Sequence, residues 1–260
     1  MNEGRYKILS FKRAHAPALA MAAALAALAL APALLLGQPA PVPAEVAAAL
    51  KGLRGAPAER NAAMEALVKA GAPALRPVLE GASSDRQLRA AAVVASRIGR
   101  PAVPELLALL DDAAVGGRAG DVLAQVSTPD FVGFLPELLA CTLERPQARQ
   151  SCGQALVRAA GPKGKRAVPA LAKALAEGDP DARPFAALAL GQVGAKAGVP
   201  ALAAALGDPA APVRAAAATA LGRIGRSAAS ALPALRRAAA EDANEAVRRA
   251  AQAAAEGVRG

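Results

Sequence analysis

Few residues in this chain can do chemistry, and their distribution narrows what that chemistry can be. Two cysteines, Cys141 and Cys152, are the only thiols in 260 residues; the single histidine, His15, and the single tyrosine, Tyr6, both lie near the start. From Glu45 onward there is no His, Tyr or Trp. That excludes Ser–His and Cys–His nucleophilic pairs from this region. Two cysteines without a histidine also fall short of the four ligands of a structural zinc, so no metal is expected. The glycines fall at helix ends, and none opens a phosphate-cradling loop with Gly-Lys-Ser/Thr. Neighbouring carboxylates such as Asp111 and Asp112 sit in turns, where they read as helix caps. No catalytic residue and no cofactor is assigned, and the chain is expected not to be an enzyme.

The elements that position these residues come from a repeat. A Pro-x-Leu step recurs at Pro73, Pro104, Pro136, Pro169, Pro200 and Pro233, with successive prolines 31, 32, 33, 31 and 33 residues apart. Such a fixed period marks an array of supersecondary units. Proline suits the first helical turn, so each step opens a short helix B. The preceding helix A begins near an Asp, often Asp-Pro, that caps free amides. It closes at Gly71, Gly99, Gly161, Gly194 or Gly225, where a left-handed cap suits glycine. Hydrophobic residues make up 54% of the chain but aromatics only 2%. The core must therefore come from helices held close together by alanine rather than from large side chains. The expected fold is all-α: an α-solenoid of about six antiparallel helix pairs over residues 45–260. Extra helices near 44–53 and 243–257 would cap its ends, and a hydrophobic helix would precede it.

The stretch "DPAAPVRAAAATALGRIG" at 208–225, followed by a Leu-Pro-x-Leu step, resembles the short HEAT-like repeat named after phycobilisome lyases. The resemblance spans about residues 55–257, strongest at 179–257 and weakest at 113–145. It implies scaffold and adaptor functions, and it implies a role for one Arg per helix A: Arg60, Arg89, Arg118, Arg149, Arg183, Arg214 and Arg248. In such repeats these form a ladder, each Arg tying its layer to an Asp of the next. The alternative is a line of arginines aimed at a polyanion.

The body carries 27 basic and 20 acidic residues, distributed unevenly between its turns. Turns from A to B hold Arg97, Arg100, Arg158, Lys163, Lys165, Arg166, Lys196, Arg223 and Arg226. Turns from B to A hold Glu80, Asp85, Asp111, Asp112, Glu144, Glu177, Asp179, Asp181, Asp208, Glu241 and Asp242. A solenoid gathers each kind of turn on one edge, giving a basic and an acidic edge. Helix dipoles account for part of this split, but not for "GPKGKR" at 161–166, where the cations extend into the loop. An anionic partner is expected there, either a membrane surface or an acidic protein. Nucleic acid is not expected, because no stacking aromatics accompany the cations. The third repeat is irregular, with Gly116, Gly117 and Gly120 in its helix A and Phe131 and Phe134 beyond it. It reads either as a hinge or partner pocket, or as a degenerate repeat refilled by the phenylalanines. Cys141 and Cys152 flank the turn Glu144–Pro146 at similar distances, so antiparallel helices would bring them level. The expectation is a disulfide, the alternative two buried free thiols.

Residues 1–15 are polar and basic, and residues 16–36 are apolar and uncharged. This pattern describes an export signal cleaved near Ala44 or a retained membrane anchor, with the alternative of an Ala-rich helix of a cytosolic protein. In either exported case the body lies on the periplasmic side of a bacterium with GC-rich coding bias. The expected function is that of an exported, non-enzymatic scaffold for an unknown protein partner. The alternatives are a membrane-surface module acting through the basic edge and a chromophore-lyase-like accessory.

Overall fold

The computed structural model describes residues 42–126 and 131–259. The apolar stretch 16–36, read above as signal or anchor, lies outside the described residues. Among the described residues no helix is long and apolar enough to cross a membrane. Fourteen α-helices and several 3₁₀ turns are present there, with no strand.

A terminal helix, α1 (Ala44–Gly52), precedes six A–B pairs. These are α2 (Pro57–Ala70) with α3 (Leu75–Gly81), α4 (Asp85–Ile98) with α5 (Ala102–Leu109), and α6 (Gly116–Gln125) with α7 (Leu135–Glu144). They continue with α8 (Arg149–Ala159) and α9 (Val168–Glu177), α10 (Arg183–Val193) and α11 (Val199–Ala205), and α12 (Ala211–Ile224) and α13 (Leu232–Glu241). A last helix, α14 (Glu245–Arg259), closes the array. Each helix A lies beside the A helices of the neighbouring layers, and each helix B packs against the A helix that follows it.

The leucines of all six Pro-x-Leu steps, Leu75, Leu106, Leu138, Leu171, Leu202 and Leu235, are fully buried. The A helices answer with Leu67, Leu123, Leu156, Leu190 and Leu221, also fully buried. Each short helix thus presents one narrow apolar stripe, and only a stacked neighbour removes it from water. At roughly 25 cal/mol per Å² of apolar surface, one buried leucine supplies about 2 kcal/mol.

Small residues set how closely the layers approach. A Cβ on Gly191 of α10 would lie 2.7 Å from the Ala220 Cα of α12. Gly222 of α12 meets Ala254 of α14 in the same way, and the Phe185 ring of α10 lies over Gly153 of α8. The helix-closing glycines at 71, 99, 194 and 225 have φ between 62° and 79°, a region that Cβ-bearing residues avoid. Gly161 departs from the expectation. Its φ is −149°, so it is ordinary extended backbone, and α8 already ends at Ala160.

The irregular layer is explained by packing. A Cβ at Gly116 would meet the Leu110 carbonyl oxygen at 2.4 Å, and one at Gly120 would meet Ser151 Oγ at 2.6 Å. Gly117, by contrast, faces open space. Replacing Gly117 with Ala should therefore raise stability by up to about 1 kcal/mol, through helix propensity alone. Gly191→Ala should lower it by about 1–3 kcal/mol despite the same propensity gain, because the added methyl has nowhere to go. Thermal melts of the two variants would show opposite shifts.

Candidate functional site

The charged residues singled out by the repeat fall on the two edges of the stack, and the edges are built differently. On the B-to-A edge the recurring aspartates do not cap helix A directly. Asp208, Asp179 and Asp242 each accept the backbone amide two residues on, from Ala210, Asp181 and Asn244, at 2.8, 2.9 and 2.8 Å. Each carboxylate folds the loop ahead of the helix. The helices α10 and α12 then start at Ala182 and Ala210, which have no side-chain cap. Asn244 is the residue that caps α14, accepting from Ala246 and Val247.

Having shaped their own loops, these carboxylates receive an Arg from the preceding layer. Arg149 reaches Asp179 at 3.2 Å, Arg183 reaches Asp208 at 2.8 Å, and Arg214 reaches Asp242 at 2.7 Å. The Arg214–Asp242 rung is bidentate, its second bond running from Nη2 to Oδ1 at 2.9 Å. Arg214 Nη1 also donates to the carbonyls of Asp208 and Pro209, at 2.9 and 3.0 Å. Both side chains are largely buried, 16% and 7% exposed. The hydrogen bonds from Arg214, followed by the Asn244 amide, hold the Asp242 carboxyl below the usual carboxylate range.

The other ladder positions differ. Arg118 turns back to the Leu79 and Glu80 carbonyls of α3, in the first helix pair. Arg248 donates to the carbonyls of its own loop, Asp242 and Ala243. Arg60 and Arg89 have no carboxylate at ion-pair distance among the described residues. In this half the layers are tied by Arg76 to Asp112 at 2.8 Å and by Arg145 to Asp111 at 3.2 Å, neither of them a ladder position. Asp112 is also held below its ordinary range, chiefly by the Ala114 amide and then by Arg76. No repeat periodicity points to Arg76 or Arg145; only contact across the layers identifies them.

On the A-to-B edge, Arg97, Arg158, Lys163, Lys165, Arg166, Lys196 and Arg223 are all exposed, with no ion pair among the described residues. Arg226 is exposed too. Arg100 lies over the Phe134 ring, 5.6 Å from its centroid, a cation–π contact between successive turns. Phe131, expected beside Phe134 as a partner contact, is instead 3% exposed. It fills core space and cannot present itself to a partner.

Cys141 of α7 and Cys152 of α8 form a disulfide with their Cα atoms 5.9 Å apart. Three grooves accompany these features. One of about 440 Å³ lies at the A-helix starts among Pro146, Arg149, Pro184, Phe185 and Pro212. One of about 220 Å³ separates α9 from α11, lined mainly by alanines with Leu175 and Asp208. A third, of about 200 Å³, separates α11 from α13 and ends at Asp242. No group of three or more His, Cys, Asp or Glu residues is placed to hold a metal among the described residues.

Two consequences can be measured. Arg214→Ala should cost about 3 kcal/mol, since it strands a buried carboxylate. Because the Asp242 pKa is depressed on folding, this contribution is complete above the ordinary value of 3.8 and is lost as pH falls through the lower folded-state value. The Tm deficit of Arg214→Ala should therefore shrink in acid. Reducing the disulfide, which closes a loop of sequence separation 11, should cost about 2–3 kcal/mol. Melts with and without reductant, with non-reducing mass spectrometry as control, would read that loss.

Comparison with known proteins agrees with the repeat. Residues 168–256 match the family model for HEAT repeats. No curated protein matches the sequence. Among solved structures, an engineered protein aligns at 23% identity over 83% of this chain and 96% of its own, with TM-score 0.49. Human deoxyhypusine hydroxylase in complex with glycerol aligns at 23% over 83% and 96%, with TM-score 0.38. A designed armadillo repeat protein in complex with the peptide (KR)4 aligns at 19% over 83% and 100%, with TM-score 0.46. The family match places HEAT repeats at residues 168–256, and the Pro-x-Leu period that begins at Pro73 makes the preceding layers similar to them.

Proposed function

We propose that the protein is a non-catalytic interaction scaffold that works outside the cytoplasm and binds a protein partner along the face lined by the B helices. The observation that carries this reading is how the ionisable groups are used. Eight of the eleven acidic residues of the B-to-A turns are engaged by Arg or Lys in holding layers or helix ends. What the stack offers to other molecules is extended surface, cut between α9, α11 and α13 by shallow grooves of about 220 and 200 Å³. Such extended faces are how solenoids bind partners. The Cys141–Cys152 bridge supports an oxidising compartment, as does the basic-then-apolar order of residues 1–36.

Mild crosslinking and capture from the envelope fraction tests the proposal. One stoichiometric protein partner should be recovered with the native chain. It should be lost with Ala176→Arg and Ala204→Arg, which place charge on the exposed rim of the groove between α9 and α11. A co-purifying pigment, with no protein, would overturn the reading in favour of a chromophore-handling role. Recovery only from the cytosol would overturn the compartment.

A further inference from the structure

We propose that the A-to-B edge is a docking surface for an anionic lipid headgroup plane, independent of any protein held on the B face. Three observations lead there. First, most of the opposite edge's charge is paired: Asp111, Asp112, Asp179, Asp208 and Asp242 are taken up by Arg145, Arg76, Arg149, Arg183 and Arg214. Five cations of the basic edge lack such compensation. Lys163, Lys165, Arg166, Lys196 and Arg223 are exposed without an ion pair among the described residues, and the turns 159–168, 194–199 and 225–232 contain no acidic residue. The positive charge of the body is therefore concentrated on one side.

Second, the turns are neighbours in space, so their charges act together. Arg100 stacks on Phe134 of the following turn. A Cβ on Gly164 would lie 3.0 Å from Leu135 and 3.3 Å from Val193, joining three layers at this edge. Third, the chemistry of the edge suits a plane of charge better than a folded partner. Its side chains are Lys and Arg set among Ala, Gly and Pro on short 3₁₀ turns at Pro162–Ala167, Lys196–Gly198 and Gly225–Ala231. Protein interfaces centre on aromatic and other large apolar anchors and deplete lysine. Here Phe131 is buried and Phe134 lies beneath Arg100. The grooves described above lie on the opposite edge and between B helices, so this edge offers charge rather than shape. Clustered Lys and Arg side chains held near an anionic leaflet gain binding additively, within a Debye length.

The test is sedimentation of the full chain with vesicles of phosphatidylcholine containing about one-third phosphatidylglycerol, at low salt. Native protein should partition onto them, and the triple variant Lys163→Glu, Lys165→Glu, Arg166→Glu should partition about tenfold more weakly or worse. Raising salt should erase the difference, and pure phosphatidylcholine should not show it. Arg5, Lys7, Lys12, Arg13 and residues 16–36 are common to both proteins, so the difference between them reads the edge alone. A second variant, Lys196→Gln with Arg223→Gln, should give a smaller loss in the same direction. Unchanged melting curves would show that both variants fold. Equal partition of native and triple-variant protein would overturn the proposal. So would binding to soluble poly-glutamate without binding to the anionic vesicles, an outcome that would assign the edge to an acidic protein.

Discussion

Each layer of this molecule buries its leucines only because another layer covers them. A helix of seven to fourteen residues carries one narrow stripe of leucine, valine and alanine, too little to hold it folded in water. Leu171 in α9 or Leu221 in α12 reaches full burial only between neighbours. Almost without aromatic residues, the stack gains its interior from close approach. Backbone meets backbone at Gly191–Ala220 and at Gly222–Ala254. The alanine-rich composition is thus a packing requirement. Larger side chains at those contacts would push the layers apart and expose the leucines that the approach hides.

Close packing of small apolar faces leaves register weakly specified, since one alanine resembles the next. Polar ties supply what is missing. In the C-terminal half, Arg149, Arg183 and Arg214 reach forward to an Asp already bonded to its own loop, so a slip of one residue would break both interactions. In the N-terminal half Arg76 reaches forward to Asp112, Arg145 reaches back to a carbonyl of the layer before, and Arg118 to one two layers before. Between α7 and α8 the disulfide joins the two helices covalently. Thr142 adds to the same junction, its carbonyl oxygen accepting from Arg149 Nε at 3.2 Å.

The polar ties also decide what remains for function. An aspartate that shapes a loop and binds an arginine has few lone pairs to offer a partner, so the acidic edge is structural for most of its length. On the other edge Lys163, Lys165, Arg166, Lys196 and Arg223 make no ion pair among the described residues. The surface is uneven because the ion pairs that tie the layers lie on one edge, while these exposed lysines and arginines of the other edge have no carboxylate at ion-pair distance among the described residues.

Much of the architecture was legible in the residues. The Pro-x-Leu period, the closing glycines and the alanine content required a stack of short helix pairs, because no other arrangement buries so many narrow stripes with so few large side chains. Helical periodicity likewise placed Cys141 and Cys152 level with one another. What folding in three dimensions alone decided was the use of each polar group. Arg60 and Arg214 occupy equivalent repeat positions, yet one has no carboxylate at ion-pair distance among the described residues and the other holds a bidentate rung, since the outcome depends on the neighbouring layer's loop. Phe131 and Phe134 are three residues apart, yet one entered the core and the other came to rest under Arg100, a residue of the preceding layer. A local pattern specifies which face of a helix is apolar; it does not carry the distance between side chains about thirty residues apart, and that distance governs ion pairing and burial.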